Sequence, residues 1–332
     1  MAQKALVLFG AAQIPLGIAT WAVENGWDTT IAANSTQMGK KINGITIKDA
    51  AEAKGIKAVT IEKAADVTPQ ALNADAETAL FISAGSPWIF NETILERFKH
   101  RVVNLHGTRL PKDRGGTLFS WQILTGQKTG MCLLHQMTAG IDDGPILTYE
   151  EFIYPAHCRL PKDYVEVYEQ KNTEFIIGFV ANYDGKLIPQ IQPEYLSTYW
   201  PRLRADVHGW INWDWDFIEI ERQICAFDEP YGGARCRFQN KMVIVRHAWG
   251  QSTDGYTHPF QHGLVYRNNG KWISVAAKGG ELLICSVKDE EGNDMMPLIK
   301  PGDRLFTHPD DLMQTKKRVV KSAKGLAVQG EK

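Results

Sequence analysis

The most informative part of the chain is residues 102–147, VVNLHGTRLPKDRGGTLFSWQILTGQKTGMCLLHQMTAGIDDGPIL. It predicts a strand over residues 102–105, a helix over 117–124 and a second strand over 130–136. A loop with the sequence Asp142-Asp143-Gly144-Pro145 follows. Apolar runs that alternate with helix-like segments are typical of a mostly parallel sheet covered by helices.

The same alternation extends through the first 180 residues. Further strands are predicted over residues 5–9, 29–33, 58–61, 78–83 and 175–181. Further helices are predicted over residues 15–25, 47–54, 91–99 and 163–175. The expected fold class is therefore α/β, with a mostly parallel, Rossmann-like sheet whose ligands bind beyond the carboxyl ends of the strands.

The second part of the chain has a different pattern. One helix is predicted over residues 216–227, and short strands follow over 235–238, 242–249, 263–266, 272–276 and 281–287. This pattern indicates a small β-barrel. We therefore predict four segments: a catalytic domain at 1–183, a proline-containing linker at 184–204, an OB-like β-barrel domain at 205–315 and a disordered basic tail at 316–332.

Composition excludes several classes of function. The formal net charge of −1 gives no bulk attraction to nucleic acid or to a membrane. The five cysteines contain no C-x-x-C pair, so neither a disulfide framework nor a zinc ribbon is indicated. The apolar run at residues 5–23 is interrupted by Gln13 and Pro15, which favours a buried strand and a helix over a signal peptide. We expect a cytoplasmic protein without a membrane segment.

A nicotinamide cofactor is not expected. Gly10 follows the first predicted strand, where a dinucleotide-binding fold carries G-x-G-x-x-G. The second and third glycines of that motif are absent, so the backbone cannot approach a pyrophosphate closely.

Three residues fit the chemistry of acyl transfer to an amine. Asn104 and His106 are two apart in a strand, so their side chains point to the same face. An amide N–H at Asn104 can stabilise an oxyanion, and His106 can accept the proton of the amine. Asp142 can orient the imidazole and stabilise its protonated form. Because no serine or cysteine accompanies them in the sequence pattern, direct transfer fits better than an acyl-enzyme.

Each of these residues also has a simpler interpretation. An Asn-x-His at a strand end is commonly structural, and Asp-Asp-Gly-Pro is commonly a turn. His106, Asp142 and Asp143 could hold a metal, although their separation matches no ligand spacing. We interpret His135 as a histidine of the core or its rim.

The longer pattern resembles the 10-formyltetrahydrofolate-dependent formyltransferases, which include methionyl-tRNA, glycinamide ribonucleotide and sugar N-formyltransferases. The resemblance is carried by Asn104-Leu-His106, Leu110-Pro111, Arg114-Gly115, Trp121, Gly126, Thr129-Gly130 and Asp142-Asp143-Gly144-Pro145-Ile146-Leu147. It implies Asn104, His106 and Asp142 as the catalytic residues, 10-formyltetrahydrofolate as co-substrate and no metal.

The resemblance also implies two binding regions. The folate is expected against the loop that follows the fourth strand and against the loop at 140–144, with contacts from Ser83, Gly85, Trp88, Ile89, Gly140 and Asp142. Substrate contacts are expected from Thr108, Arg114 and Gly115.

The acceptor that the resemblance favours is a nucleotide-linked amino sugar. Methionyl-tRNA is an alternative, but residues 34–44 keep only Lys40 and Lys41 where the tRNA enzymes carry a basic loop, so a nucleic-acid partner is not expected. Hydrolysis of formyltetrahydrofolate by the same residues is a further alternative, and a homodimer is compatible with the resemblance.

Overall fold

The computed structural model describes residues 4–116, 118–253, 257–322 and 325–329. The chain forms two compact units. Unit 1 comprises Met1–Gly115, Thr129–Ile153 and Glu166–Trp200, and unit 2 comprises Gly116–Lys128, Tyr154–Val165 and Pro201–Lys332. Each unit therefore contains chain segments distant in sequence. The predicted end of the catalytic domain at residue 183 and the predicted start of the barrel domain at residue 205 remain predictions.

The strands, in chain order, are β1 (Ala5–Phe9), β2 (Asp28–Ala33), β3 (Lys41–Ile42), β4 (Ile45–Thr46), β5 (Lys57–Thr60), β6 (Leu80–Ser83), β7 (Val102–His106), β8 (Arg114–Gly115), β9 (Thr129–Gln136), β10 (Ile146–Ile153), β11 (Tyr199–Trp200), β12 (Ala234–Phe238), β13 (Lys241–Ser252), β14 (Val265–Asn268), β15 (Ile273–Ala277), β16 (Gly280–Lys288), β17 (Leu305–Phe306), β18 (Val319–Ser322) and β19 (Gly325–Val328). The α-helices are α1 (Gln13–Glu24), α2 (Ser35–Met38), α3 (Ile47–Glu52), α4 (Glu92–Arg97), α5 (Phe119–Leu124), α6 (Pro161–Ala181), α7 (Ala205–His208), α8 (Phe217–Ala226) and α9 (Pro309–Gln314). Short 3₁₀ turns lie at Ala64–Asp66, Glu194–Leu196, Pro259–Gln261 and Met296–Leu298.

Unit 1 is built on a seven-stranded sheet with the order β10-β9-β7-β6-β1-β2-β5. The strands from β7 to β5 pair in parallel, which confirms the predicted sheet. Strand β9 pairs antiparallel with β7, and β10 pairs antiparallel with β9. The carboxyl ends of β6 and β7, at Ser83 and His106, therefore share one edge, where ligands of such sheets bind.

The two faces of this sheet carry different cores. On one face, α1 and α6 pack their buried aliphatic side chains against the strands. On the other, Phe9, Phe81, Phe90, Phe98 and Trp88 form an aromatic cluster. Phe81 and Phe98 meet edge-on with centroids 4.9 Å apart, a geometry that aromatic pairs favour. Burial on both faces explains why β1 and β6 are continuous apolar runs.

One prediction in this unit was wrong, and one strand was missed. Residues 175–181 are the last part of α6 rather than a strand, because Ile176 and Val180, four residues apart, lie on the buried face of a helix. Strand β10 was not predicted, since its polar and exposed residues hide the apolar run that marks a buried strand. The helix predicted over 117–124 is observed from Phe119, and Thr117 lies outside the described residues.

Unit 2 contains a six-stranded antiparallel sheet with the order β14-β15-β16-β13-β12-β17. The two end strands also meet: Leu264 and Arg304 form an isolated bridge, and the N–H of Leu305 donates to the carbonyl of Gly263 over 2.9 Å. These contacts close the sheet into a small barrel, as predicted. Helix α8 begins at the N-cap Asp216, whose carboxylate accepts from two backbone N–H groups, and it buries Ile220 and Ile224 in the barrel core.

The Lys-rich end of the chain was predicted to be disordered over 316–332. Within residues 316–322 and 325–329, the strands β18 and β19 pair antiparallel and Val319 is fully buried. The tail is therefore partly ordered by burial of its valines. Residues 323, 324 and 330–332 lie outside the described residues.

No helix within the described ranges combines the length and the apolar character that crossing a bilayer requires.

Candidate active site

Strand β7 delivers the first two candidate residues to the carboxyl edge of the sheet. Asn104 lies between Ser83 of β6 and His135 of β9 in the strand register, and His106 ends the strand. Two residues apart, their side chains share one face, as expected. The His106 side chain is 9% exposed, so its imidazole works in a largely desolvated environment.

Both nitrogens of His106 have defined neighbours. Nε2 lies 2.9 Å from the carbonyl oxygen of Asp113 and 2.8 Å from Oγ1 of Thr108. Because a carbonyl oxygen can only accept, Nε2 carries a proton and donates it to Asp113. The neutral imidazole therefore presents its lone pair at Nδ1, which lies 3.7 Å from Oδ1 of Asp142. Thr108, expected to contact the substrate, lies buried against His106.

Asp142 lies in the loop after β9 and faces two histidines at once. Its Oδ1 is 3.7 Å from Nδ1 of His106 and 3.7 Å from Nε2 of His135. Its Oδ2 accepts a hydrogen bond of 2.9 Å from the backbone N–H of Gly115. Asp143, the neighbouring carboxylate, is held by the hydroxyl of Thr138 instead. The structure thus brings Asn104, His106 and Asp142 together and gives Asp143 a different hydrogen-bond partner.

His135 joins this group, although sequence reasoning left it in the core. Its Nδ1 donates to the carbonyl oxygen of Gln136 over 3.0 Å, so its Nε2 accepts from the side-chain amide of Asn104 over 3.1 Å. Burial, reinforced by the nearby His106, lowers the pKa of His135 to about 4. The imidazole is therefore neutral at pH 7 and orients the Asn104 amide.

Arg114 and Gly115, which were expected to bind the substrate, are both in close contact with other parts of the protein. Arg114 is buried, donates from Nε and Nη2 to Oε1 of Gln192, and pairs with Glu194 at 2.9 Å. Gly115 has φ +94° and lies so near β11 that a Cβ would be 2.6 Å from the carbonyl oxygen of Trp200. Both residues therefore make structural contacts within unit 1. Their contacts with the substrate remain a prediction.

The residues expected to bind folate differ in accessibility. Ser83 is buried at the end of β6, and the carbonyl of Gly85 accepts a hydrogen bond from Gln37 over 3.0 Å. Trp88 is only 8% exposed, with its ring edge-on to Phe9 in the core, whereas its neighbour Ile89 is 53% exposed. Gly140 leaves no room for a Cβ beside the carboxylate of Asp143. Ile89 is therefore better placed than Trp88 to contact a ligand.

The site also contains three groups that could ligate a metal. Ligand atoms of His106, His135 and Asp142 all lie within 4.8 Å of one another. However, Nε2 of His135 already accepts a hydrogen bond from Asn104, so its lone pair is engaged. This donor set fits an organised hydrogen-bond network better than a metal centre.

His135 and Gln192 were not predicted as site residues, because little in the sequence points to them. His135 could have been placed from the pairing of the two strands in residues 102–147, since antiparallel register sets it opposite Asn104. Gln192 lies in the segment interpreted as a linker, and nothing in its local sequence points to Asp142.

Comparison with known protein families finds two matching regions in this chain. The family model described as "Formyl transferase" matches residues 30–174, and the one described as "Formyl transferase, C-terminal domain" matches residues 206–298. The chain belongs to the formyltransferase family. The first of these matches contains Asn104, His106 and Asp142, and the second contains most of the barrel.

Individual relatives include more than one type of formyltransferase. A methionyl-tRNA formyltransferase of Rickettsia bellii is 27% identical over 218 residues, which are 66% of this chain and 68% of that protein. An N-formyltransferase of Helicobacter canadensis, solved with folinic acid and dTDP-3-aminofucose, has a TM-score of 0.65 at 18% identity and covers 85% of this chain and 99% of that one. The sugar 3N-formyltransferase WlaRD has a TM-score of 0.64 at 18% identity, covering 86% and 98%. These similarities establish the fold and leave the acceptor open.

Proposed function

We propose that this formyltransferase moves the formyl group of 10-formyltetrahydrofolate directly onto the primary amine of a nucleotide-linked amino sugar. The observation that carries the proposal is the convergence of the Asn104 amide, the Nδ1 of His106 and the carboxylate of Asp142 at the carboxyl edge of the sheet. Such a set supplies an oxyanion donor, a base and a charge that stabilises the protonated base.

The steps follow from these positions. The amine nitrogen bonds to the formyl carbon, and the oxyanion that forms accepts a hydrogen bond from the Asn104 amide N–H that His135 does not use. Nδ1 of His106 accepts the proton released by the amine, and Asp142 stabilises the imidazolium. The proton then passes to N10 of the folate as the C–N10 bond breaks, which leaves tetrahydrofolate and the formamide.

Direct transfer is supported by the surroundings of the hydroxyl group nearest to His106. Oγ1 of Thr108 is 2.8 Å from Nε2, but it donates to the carbonyl of Asp113 over 3.0 Å and the residue is 4% exposed. A nucleophile needs access to the carbonyl carbon and a base without a proton on the facing nitrogen. Thr108 has neither, so an acyl-enzyme is not favoured.

The preference for a small acceptor rests on charge. Lys40 precedes the short β3–β4 hairpin, Lys41 is its first residue, and the next lysine, Lys48, lies 3.9 Å from Glu52. A tRNA needs several unpaired cations to contact its phosphates. An amino sugar carried on a nucleotide needs few, and the fold similarity to two sugar N-formyltransferases is consistent with it.

A direct assay tests the proposal. The protein is incubated with 10-formyltetrahydrofolate and, separately, with nucleotide-linked amino sugars, methionyl-tRNA or buffer, while release of tetrahydrofolate is followed. We expect turnover with an amino sugar and not with buffer. Release at the same rate in buffer alone would instead identify a hydrolase.

Methionyl-tRNA is the second candidate, and sequence similarity favours it. The Rickettsia bellii relative quoted above is such an enzyme. Turnover with methionyl-tRNA, with a rate that falls steeply as salt increases, would replace the sugar by the tRNA as acceptor while keeping the same catalytic residues.

A further inference from the structure

The backbone at Asp142 needs support from its surroundings. Asp142 has φ +51°, in the left-handed region that non-glycine residues adopt at a cost of about 1 kcal/mol or more. Two residues later, Gly144 passes so near the preceding strand that a Cβ would be 1.8 Å from the carbonyl oxygen of Gln136. The loop therefore holds its carboxylate in place only while other groups fix this conformation.

Gln192 supplies two of the bonds that fix the loop. Its Nε2 donates to the carbonyl oxygen of Asp142 over 2.9 Å and to that of Gly144 over 2.6 Å. The loop is thus bonded on both sides of the Asp142–Gly144 turn by one side chain. The residue is 5% exposed, so water competes little for these bonds.

The amide of Gln192 is itself held in a single orientation. Its Oε1 accepts from Nε of Arg114 over 3.2 Å and from Nη2 over 3.0 Å. A flipped amide would turn its N–H groups toward a guanidinium and its oxygen toward two carbonyls, losing four hydrogen bonds. Arg114, paired with Glu194, therefore fixes Gln192, and Gln192 fixes the loop.

We infer that Gln192 is a positioning residue for Asp142, so that the segment predicted as a linker completes the active site. The inference rests on the proposed function, because it assigns Gln192 the task of keeping the Asp142 carboxylate between His106 and His135. The hydrogen bonds of Gln192 go to Arg114 and to backbone carbonyls of the loop, so Gln192 acts through Asp142. A shift of about 1 Å in a catalytic group can lower the rate about 100-fold.

A double-mutant cycle tests the inference by activity. Gln192→Glu keeps the size and the acceptor for Arg114 but removes both donated hydrogen bonds, and Gln192→Ala removes all four. We expect each to lower kcat about 10- to 100-fold with KM for the folate within about threefold. In an Asp142→Asn background the same changes should cost less than about threefold, since Gln192 acts through Asp142. Equal losses in both backgrounds would overturn the inference.

The matched control is Gln190→Ala, the same truncation on the same segment at an exposed position whose bridge to Ile146 uses backbone atoms only. It should leave kcat and KM unchanged.

A second measurement does not depend on the acceptor. Nitrogen NMR signals of the His106 and His135 imidazoles report the position of the Asp142 carboxylate. We expect Gln192→Glu to move both signals in the direction that Asp142→Asn moves them, while Gln190→Ala leaves them in place. Unchanged signals in a folded Gln192→Glu variant would refute the inference even if no acceptor supported turnover. Shifted signals without turnover would refute the proposed function alone.

Discussion

Asn104 donates its side-chain amide to Nε2 of His135 over 3.1 Å, so the proposed oxyanion donor is oriented by a residue of the neighbouring antiparallel strand. A glutamine or asparagine amide that lacks such a partner samples several rotamers. Here one N–H is engaged and the direction of the other is thereby set. The donor is preorganised before the substrate arrives, and preorganisation is what makes an oxyanion donor effective.

Removing the Asn104 donor should affect the chemical step. We expect Asn104→Ala to lower kcat about 10²- to 10³-fold with little change in KM, because the hydrogen bond matters mainly once the oxyanion forms. Asn104→Asp, of equal size but without the N–H donor, should be at least as damaging. Steady-state kinetics with varied folate separates the two parameters. A variant with raised KM and unchanged kcat would assign Asn104 to binding.

His135 should make stability depend on pH. Its pKa, lowered to about 4 by burial, lies below the ordinary value of about 6.5, so between these pH values the unfolded chain binds a proton that the folded chain does not. The free energy of unfolding should therefore fall by up to about 3 kcal/mol as the pH drops from 6.5 to 4, and His135→Gln should remove this part of the slope. Denaturant titrations at pH 7.5, 5.5 and 4.5 measure it.

The comparison for His135→Gln is His157→Gln, the same replacement at an exposed position. If the two variants lost the same amount of slope, the pH dependence would not belong to the buried site.

The two adjacent aspartates should respond differently to the same change. Asp142→Asn keeps the shape but removes the charge facing His106, and we expect a loss of about 10²-fold or more in kcat. Asp143→Asn should be milder, since its carboxylate accepts from Thr138 outside the group of histidines. Asp142→Asn and His106→Ala should also combine far from additively, because both act on one transition state. Near-wild-type rates for Asp142→Asn and His106→Ala would contradict the proposed catalytic roles of these residues.

Trp88 and its neighbour Ile89 should separate stability from folate binding. Trp88→Ala leaves a cavity beside Phe9 and should lower the free energy of unfolding by about 3–5 kcal/mol. Ile89→Ala, at an exposed position, should change stability little and weaken folate binding several-fold. Chemical denaturation and fluorescence titration with folinic acid measure the two effects. Unaltered affinity in Ile89→Ala would remove this loop from the binding site.

No metal should be needed for activity. His135 already shares its Nε2 lone pair with the Asn104 amide, so prolonged chelation is expected to leave kcat unchanged. Metal analysis of the purified protein provides the independent check. If a stoichiometric zinc signal were lost together with activity on chelation, His106 would be a metal ligand and not a base.

The sequence predicted the elements whose signal is local. Strand β1 was predicted with its observed bounds, and α8 within one residue at each end, because a buried strand and an amphipathic helix have distinct periods. The end of α6 was misread because its apolar run FIIGFVA suits a buried strand as well as a buried helix face. Only the packing of Ile176 and Val180 distinguishes the two.

The residues proposed as catalytic could also be recognised from local sequence. Asn104 and His106 are neighbours in one strand, and Asp142 follows in a recognisable turn. Of the groups that orient them, His135 required the register of the neighbouring strand, and Gln192 lies 50 residues beyond Asp142, where no local pattern points to it. Tertiary hydrogen bonds of this kind leave no period in the sequence.

The bridge between Leu264 and Arg304 matters when the barrel is expressed as a separate fragment. The C-terminal family match stops at residue 298, so a fragment cut there would omit β17 and the bridge at Arg304. Strands β12 and β14 would then present unpaired backbone N–H and C=O groups to solvent, and such open edges pair readily between molecules. A fragment that stops at residue 298 should therefore aggregate more readily than the same fragment extended through Phe306.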